Sequence, residues 1–274
     1  MTTIDYEVEY NNRARVPDHA DHIAGWARDA QAFRENTPPT PIPYGPGERE
    51  TLDLFTPAAP RGEATLVFIH GGYWQALDKS FFSHLARGAN AHGISLAIPS
   101  YDLCPQVSIS QIIAQIRAAC RTLAKLGRPL VVSGHSAGGH LAACMLAQDW
   151  EAGAEPARRD LVQAGYAISG LFDLTPLMGT SINTALGLDS VSARAASPLF
   201  TPPLRPGLTF DAVVGGDESA EYHRQSRTIV ARWGEAGVAT HFESLPGCHH
   251  FDVIAPLADP ESAMTRRLVA LAGG

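Results

Sequence analysis

Short apolar runs alternate along this chain with longer segments in which apolar residues recur at helical spacing. Six runs have the composition of strands, namely ETLDLF, ATLVFIH, ISLAIPS, PLVVSG, QAGYAIS and TFDAVVGG. Between them apolar residues recur at steps of three and four, most clearly from Ser108 to Leu126. This alternation predicts an α/β fold with a mainly parallel central sheet and helices on both faces.

The chain has the length and composition of one large domain. It has 274 residues, of which 45% are hydrophobic and 18% charged, so it can build a core and is not a disordered polyelectrolyte. We therefore predict a single domain over residues 1–274, because neither an internal repeat nor a linker divides the chain. Residues 1–45 form an N-terminal extension. Residues 171–206, rich in Pro, Ser and Thr, form a small excursion or cap.

Charge and hydropathy exclude several classes of protein. The net charge is −7, the wrong sign for a protein that neutralises nucleic-acid phosphates. No apolar run approaches the roughly 18 residues of a membrane span, and the acidic start MTTIDYEVEY is unlike a secretion signal. We expect a cytoplasmic protein with a small-molecule substrate and neither a nucleic-acid nor a membrane partner; a homodimer stays open beside a monomer. Four cysteines without C-x-x-C spacing are expected to be reduced and structural.

One turn carries a catalytic motif. The run PLVVSG leads into a G-x-S-x-G sequence from Gly134 to Gly138, and the apolar helical stretch HLAACMLA follows. Glycines at both ends allow a sharp strand-to-helix turn that presents the Ser136 hydroxyl above the sheet, at the positive end of the new helix. Ser136 is therefore the predicted nucleophile. The alternative is a glycine-rich connection with a capping serine, and a dinucleotide-binding loop would need glycine where Ser136 stands.

A second glycine-containing loop, HGGYW, follows the strand ATLVFI. Its glycines let backbone amides approach a bound oxygen. Together with EYNNRARVPD, SYDLCP, AISGLFDL and ESAEYHRQS, this loop resembles the kynurenine formamidase (arylformamidase) branch of the α/β-hydrolases. Esterases of the hormone-sensitive-lipase type more usually carry HGGG or HGGA.

The resemblance assigns roles to the two loops. It implies an oxyanion hole at the amides of Gly71, Gly72 and Ala137, and it implies that Tyr73 and Trp74 bind substrate beside the acyl group. It also implies that the N-terminal extension folds over the entrance to the site. The simpler interpretation of the two aromatic residues is that they pack under a loop.

A serine nucleophile needs a histidine and an orienting acid, in the chain order Ser, acid, His. The sequence CHHF offers His249 and His250, and the phenylalanine that follows the histidine in the family selects His250. Two neighbouring carboxylates, Asp217 and Glu218, follow the strand TFDAVVGG. Counting three residues on from Gly215 favours Glu218, with Asp217 as the alternative acid; the other carboxylate would cap a turn or the next helix.

The sequence thus predicts a serine hydrolase that cleaves the N-formyl group of an arylamine such as N-formylkynurenine. The alternatives are a general carboxylesterase acting on small acyl esters and, from a different class, a hydrolase-like binding protein without activity. His135 and His140 flank the nucleophile but lack an H-E-x-x-H or clustered Cys/His pattern. We therefore expect no metal and no organic cofactor.

Overall fold

The computed structural model describes residues 4–152, 157–203 and 205–273. Its centre is a sheet of eight strands, which are β1 (Thr40–Pro43), β2 (Thr51–Phe55), β3 (Thr65–Ile69), β4 (Leu96–Pro99), β5 (Leu130–His135), β6 (Val162–Ile168), β7 (Thr209–Gly215) and β8 (Ala239–Leu245). Their spatial order is β1-β2-β4-β3-β5-β6-β7-β8. Strands β3 to β8 are parallel, and β2 is antiparallel to both β1 and β4. The predicted mainly parallel sheet is confirmed.

Each of the six predicted runs contains a strand, and the two edge strands of the sheet, β1 and β8, lie outside these runs. Strand β1 has the sequence TPIP and pairs with β2 alone. Proline cannot donate a hydrogen bond to a neighbouring strand, so Pro41 and Pro43 are tolerated only at an edge of the sheet. Their presence also gives the β1 sequence a composition typical of a loop.

Ten α-helices are found in the described residues, and they surround the sheet. They are α1 (Tyr6–Tyr10), α2 (Asn12–Arg15), α3 (His19–Asn36), α4 (Ala86–Ala91), α5 (Ile109–Ala124), α6 (Ala137–Leu146), α7 (Asn183–Leu186), α8 (Ser190–Ala195), α9 (Ala220–Glu235) and α10 (Ala263–Leu271). Helix α5 matches the segment with the clearest helical spacing. Ser108 caps it, and the Ser108 and Gln111 side chains bond to each other's backbone amides.

Two apolar clusters form the core, one on each face of the sheet. Successive residues of β3 point to opposite clusters: Val67 packs with helices α5, α6 and α9, whereas Leu66 and Phe68 pack with α3, α4 and α10. Every residue of β3 to β5 is buried. Helices therefore cover both faces, as the α/β pattern predicts.

The N-terminal helix α3 is tied to this core by an ion pair with a buried aspartate. The carboxylate of Asp53 on β2 binds Arg34 of α3 at 2.8 Å and Lys79 at 2.6 Å, and Asp53 is only 1% exposed. Residues 171–206 hold α7, α8 and two short 3-10 helices. In the described part of the chain no helix is both long and apolar enough to cross a membrane.

Candidate active site

Ser136 occupies the sharp turn between β5 and α6. Its backbone has φ 56° and ψ −119°, a strained conformation for a residue with a side chain. A Cβ on Gly134 would lie 2.2 Å from the carbonyl oxygen of Gly138, and one on Gly138 would lie 1.9 Å from that of Ile69. Only glycine fits at both positions, so the motif is a requirement of backbone packing.

Glu218 and His250 form a hydrogen-bonded pair beside this turn. Oε2 of Glu218 lies 2.7 Å from Nδ1 of His250, and both residues are buried. The other oxygen, Oε1, accepts the backbone N–H of Gly215 at 2.8 Å and the hydroxyl of Ser169. Both carboxylate oxygens are therefore bonded, and the carboxylate is fixed against the imidazole ring.

The neighbouring candidates Asp217 and His249 point elsewhere. Asp217 is exposed, and its amide donates to the carbonyl of Cys248. His249 is partly exposed, with its ring 4.7 Å from that of His22 in an edge-on arrangement. The structure thus brings Glu218 together with His250, and it does not bring Asp217 or His249 into that pair.

A cavity of about 320 Å³ opens above Ser136 and His250. Aromatic side chains of Tyr10, Trp26, Tyr73 and Phe251 line it, and Trp26 stacks on Phe251 with ring centres 6.0 Å apart. Polar side chains line other parts, among them Glu7, Asn11, Asn12, Arg13, Gln75 and Ser181. The volume and the mixture of aromatic and polar groups are typical of a small-molecule site.

The HGGYW loop borders the same cavity through only some of its residues. Gly71 lies against the Ser136 turn, because a Cβ there would be 2.8 Å from the carbonyl oxygen of His135 and 3.0 Å from Cβ of Ser136. Gly72 has φ +107°, and both it and Tyr73 line the cavity. The loop is thus held close to Ser136 by glycine backbone.

Trp74 differs from the sequence expectation, since it does not line the cavity. Its side chain is fully buried, and its indole packs edge-on against the ring of His140 at 5.1 Å. Tyr73 and Trp74 both have positive φ, of 49° and 57°. Tyr73 therefore forms part of the cavity wall, whereas Trp74 packs under the loop.

One of the three amides expected to bind an oxyanion, that of Ala137, lies at the N-terminal end of α6. Ala137 is the first residue of that helix, where backbone N–H groups have no partner within the helix. In the ranges that the structure describes, no acceptor is found for the amides of Gly71, Gly72 or Ala137. These amides are free to donate to a bound oxygen.

His135, next to Ser136, is a neutral neighbour of His250. The two rings are 4.6 Å apart. Burial is the main reason that the pKa of His135 lies well below its usual value, and the proximity of His250 lowers this pKa further. His135 therefore adds no positive charge beside His250.

Several residues of the site carry no catalytic motif of their own, although they lie in the stretches EYNNRARVPD, AISGLFDL and ESAEYHRQS that resemble the kynurenine formamidase branch. Ser169, which has φ 52°, follows β6 and donates to Glu218. Tyr222 packs against the His250 ring with centres 4.9 Å apart. Tyr10 and Asn12 reach the cavity from the N-terminal helices. Ser169 carries a further signal, because it stands at the carboxyl end of a parallel strand.

No group of three or more His, Cys, Asp or Glu side chains in the described ranges is arranged to hold a metal ion. His140, one of the histidines near Ser136, is fully buried and lies 2.7 Å from the carbonyl of Ala196 through Nε2. Burial lowers its pKa to about 4. The His140 side chain therefore packs beneath the turn that carries Ser136.

A family model described as the α/β-hydrolase fold matches residues 66–253. The chain belongs to the α/β-hydrolase family. It is also 31% identical over 238 residues to kynurenine formamidase of Drosophila melanogaster, and this match covers 82% of this chain and 78% of that protein. The kynurenine formamidase of Salmo salar is 28% identical over 241 residues, covering 85% of this chain and 81% of that protein. Within the α/β-hydrolases the chain is therefore of the kynurenine formamidase type.

A solved structure resembles this α/β-hydrolase along nearly its whole length. It is that of a Silicibacter sp. TM1040 protein provisionally designated a thioesterase, with a TM-score of 0.85 and 39% sequence identity. The match covers 99% of this chain and 100% of that one. A shared fold of this kind accommodates acyl transfer from different leaving groups.

Proposed function

We propose that this α/β-hydrolase is a serine hydrolase that cleaves the N-formyl group of an arylamine, such as N-formylkynurenine, to formate and the free amine. The observation that carries the proposal is the buried Glu218–His250 pair, whose histidine lines the same aromatic-walled cavity as the strained Ser136 turn. The likeness to kynurenine formamidases supports the choice of substrate.

The chemistry follows from the three side chains. The Ser136 hydroxyl oxygen attacks the formyl carbon, and His250 takes the hydroxyl proton as general base. His250 then gives that proton to the departing arylamine nitrogen as the C–N bond breaks. Glu218 holds Nδ1 of the imidazole at 2.7 Å and stabilises the imidazolium that forms. Water then hydrolyses the formyl ester of Ser136 and releases formate.

The negative charge that develops on the formyl oxygen meets backbone donors. The amides of Gly71, Gly72 and Ala137 are the proposed oxyanion hole, and the positive end of α6 adds to their field. Donors fixed in this way contribute about 10²- to 10³-fold each to the rate in comparable enzymes.

The cavity is suited to an aryl leaving group and a small acyl group. Trp26, Tyr73 and Phe251 offer aromatic surface for the ring. On the other side, the backbone at Gly71 packs against the nucleophile turn and limits the space beside the carbonyl. A formyl group has only hydrogen beyond its carbonyl carbon, so it needs the least room.

A carboxylesterase acting on small acyl esters is the second candidate. The same serine, histidine and oxyanion donors would serve an ester, and the thioesterase designation of the Silicibacter protein favours acyl transfer from a better leaving group. The two candidates differ in acyl length and leaving group, which can be measured directly.

The deciding experiment compares kcat/KM for N-formylkynurenine, an aryl acetate and an aryl butyrate. We expect the formamide to exceed the butyrate, because each extra methylene in a tight pocket costs about tenfold to two-hundredfold. If butyrate matches or exceeds the formamide, the protein is a general esterase. Labelling of the protein by a fluorophosphonate, if the labelling requires Ser136, distinguishes both candidate enzymes from a binding protein without activity.

A further inference from the structure

The HGGYW loop, which carries two of the proposed oxyanion donors, turns through three successive residues with positive φ. The angles are 107° at Gly72, 49° at Tyr73 and 57° at Trp74. A positive φ costs free energy for a residue with a side chain, and it persists only where neighbouring contacts hold it. Trp74 is held by full burial and by the Cys104 amide, which donates to its carbonyl at 2.8 Å. Tyr73 is only half-buried, so the contacts of its hydroxyl become important.

Two hydrogen bonds hold the Tyr73 hydroxyl from different sides. Its oxygen lies 2.6 Å from the carbonyl oxygen of Tyr10 and 2.7 Å from the hydroxyl of Tyr222. The Tyr10 carbonyl can only accept, so the single hydroxyl hydrogen of Tyr73 goes to it. The contact between the two phenols then needs the hydrogen of Tyr222. Tyr73 therefore donates to the N-terminal segment and accepts from helix α9.

Tyr222 is itself fixed as the donor. It is fully buried, and Nδ2 of Asn12, a residue only 4% exposed, lies 2.8 Å from its hydroxyl. The reverse orientation of the Asn12 amide would take the Tyr222 hydrogen and leave the 2.7 Å contact between the phenols without one. Burial raises the pKa of both phenols, so each keeps its hydrogen at neutral pH. Tyr222 therefore donates to Tyr73.

The peptide between Gly71 and Gly72 lies next to this anchored tyrosine. Nδ1 of His70 is 2.8 Å from the Gly71 carbonyl, which can only accept, so Nδ1 carries a hydrogen and holds that carbonyl. The C=O and N–H of a trans peptide point in opposite directions, so this bond also sets the direction of the Gly72 amide. The His70 ring thus fixes the segment before Gly72, and the Tyr73 hydroxyl fixes it after. Glycine itself restricts its backbone little, so both fixed points are needed.

We propose that Tyr222 is a positioning residue for the oxyanion hole: its hydroxyl holds Tyr73, and through Tyr73 it holds the Gly71 and Gly72 amides where negative charge develops. In the described part of the chain Tyr222 does not line the cavity, so it acts through Tyr73 and not on the substrate. Helix α9, which carries Tyr222, begins two residues after Glu218. The contact between the phenols therefore joins the oxyanion loop to the element that follows the acid.

This inference rests on the proposed function, and replacing the formyl oxygen by sulfur provides its test. Formanilide and thioformanilide have the same leaving group and the same acyl hydrogen, and they differ only in the atom that the oxyanion hole receives. Sulfur is a weak hydrogen-bond acceptor, so correctly placed amides favour formanilide. The ratio of aniline release from formanilide to that from thioformanilide therefore reports on the oxyanion hole. Single turnovers with protein in excess keep the slower thioamide measurable.

We expect Tyr222→Phe to lower this ratio about three- to tenfold, because the contact can hold the loop by no more than the net strength of one hydrogen bond. The variant keeps the ring that lies 4.9 Å from the His250 ring and removes only the hydroxyl. The pH dependence of formanilide turnover should therefore stay as in wild type.

Tyr73→Phe removes the other partner of the same contact, and it carries the test if Tyr222→Phe does not fold. It should lower the ratio in the same direction, and the double variant should have the same ratio as Tyr73→Phe alone, because the contact is already lost. Tyr166→Phe is the matched control, because Tyr166 is a buried phenol outside the cavity. It should leave the ratio at the wild-type value.

An unchanged or higher ratio in active Tyr222→Phe protein overturns the proposal, as does an equal fall in Tyr166→Phe. A shifted pH dependence at an unchanged ratio also overturns it, and assigns the effect of Tyr222 to His250 instead. The proposed function is read separately, from release of aniline from formanilide by wild type and by Ser136→Ala. If Ser136 is required and the ratio does not move, only the role of Tyr222 is wrong. If aniline release does not need Ser136, the proposed function fails as well.

Discussion

The loops at the carboxyl ends of the strands and the N-terminal helices both line the cavity, but they differ in what they contribute. Ser136, Glu218 and His250 come from loops that follow three different parallel strands, where ligands bind in open α/β sheets. Helices α1 to α3 contribute Tyr10, Asn12 and Trp26 from one end of the chain. The sheet loops hold the groups that can react, and the helices supply wall surface and hydrogen bonds around them.

The two regions also differ in how sequence determines structure. At the Ser136 turn the backbone approaches itself so closely that only glycine fits at Gly134 and Gly138, and this leaves a recognisable motif. Side chains on α1 to α3 need only reach the cavity, and many sequences can do so. We therefore expect changes in the sheet loops to lower kcat and changes in the helices to act mainly through KM.

The largest expected effect tests the sheet loops directly. Ser136→Ala removes the proposed nucleophile and should lower kcat for N-formylkynurenine by about 10³- to 10⁶-fold. The folded state should persist, since the change deletes one hydroxyl at a site whose backbone is already formed. Turnover and circular dichroism of the same preparation provide the measurement. A folded variant with more than about a tenth of wild-type kcat would remove Ser136 from the mechanism.

The next largest expected effect distinguishes the roles of two adjacent carboxylates in one loop, Glu218 and Asp217. Glu218→Gln keeps the shape of the side chain but not the charge that faces His250, and should lower kcat by about 10⁴-fold, by analogy with other triads. Asp217→Asn is the matched control, because Asp217 is exposed and does not bond to His250. Its kcat should remain close to that of wild type. The opposite pattern would show that Asp217 orients His250 in solution.

The sheet and its order of elements could be predicted because periodicity is a local property of the chain. The conformations of Tyr73 and Trp74 could not be predicted in the same way. Both have positive φ, so the chain direction changes at each residue, and the tyrosine is placed at the cavity while the tryptophan is turned onto His140. Strand β1 cannot be predicted from periodicity for a related reason, since its pairing with β2 overrides a proline-rich composition typical of loops.

The position of the N-terminal helices depends on contacts between residues that are distant in sequence. Asp53 binds both Arg34 and Lys79, and nothing in the local sequence around any of the three residues indicates that they meet. A resemblance to known hydrolases implied that this segment covers the site. Without it, the apolar residues at helical spacing indicate only an amphipathic helix that packs on some surface.

The smallest effect that we predict tests the contribution of the helices. Trp26→Leu keeps an apolar side chain on α3 but removes the flat ring that stacks on Phe251 beside the cavity. Aromatic pairs contribute about 0.5–1.5 kcal/mol beyond the area they bury, so KM for formanilide should rise about two- to tenfold while kcat changes little. Michaelis–Menten analysis of formanilide turnover measures both constants.

Phe33→Leu is the control for this change on the same helix. The Phe33 ring packs against Phe55, 5.7 Å away, and does not line the cavity, so its loss should affect stability and leave KM unchanged. If both variants raise KM equally, the effect comes from loosening of α3 rather than from the Trp26 ring. If Trp26→Leu instead lowers kcat at constant KM, the N-terminal helices act on the reacting groups themselves, and the division between the two regions is wrong.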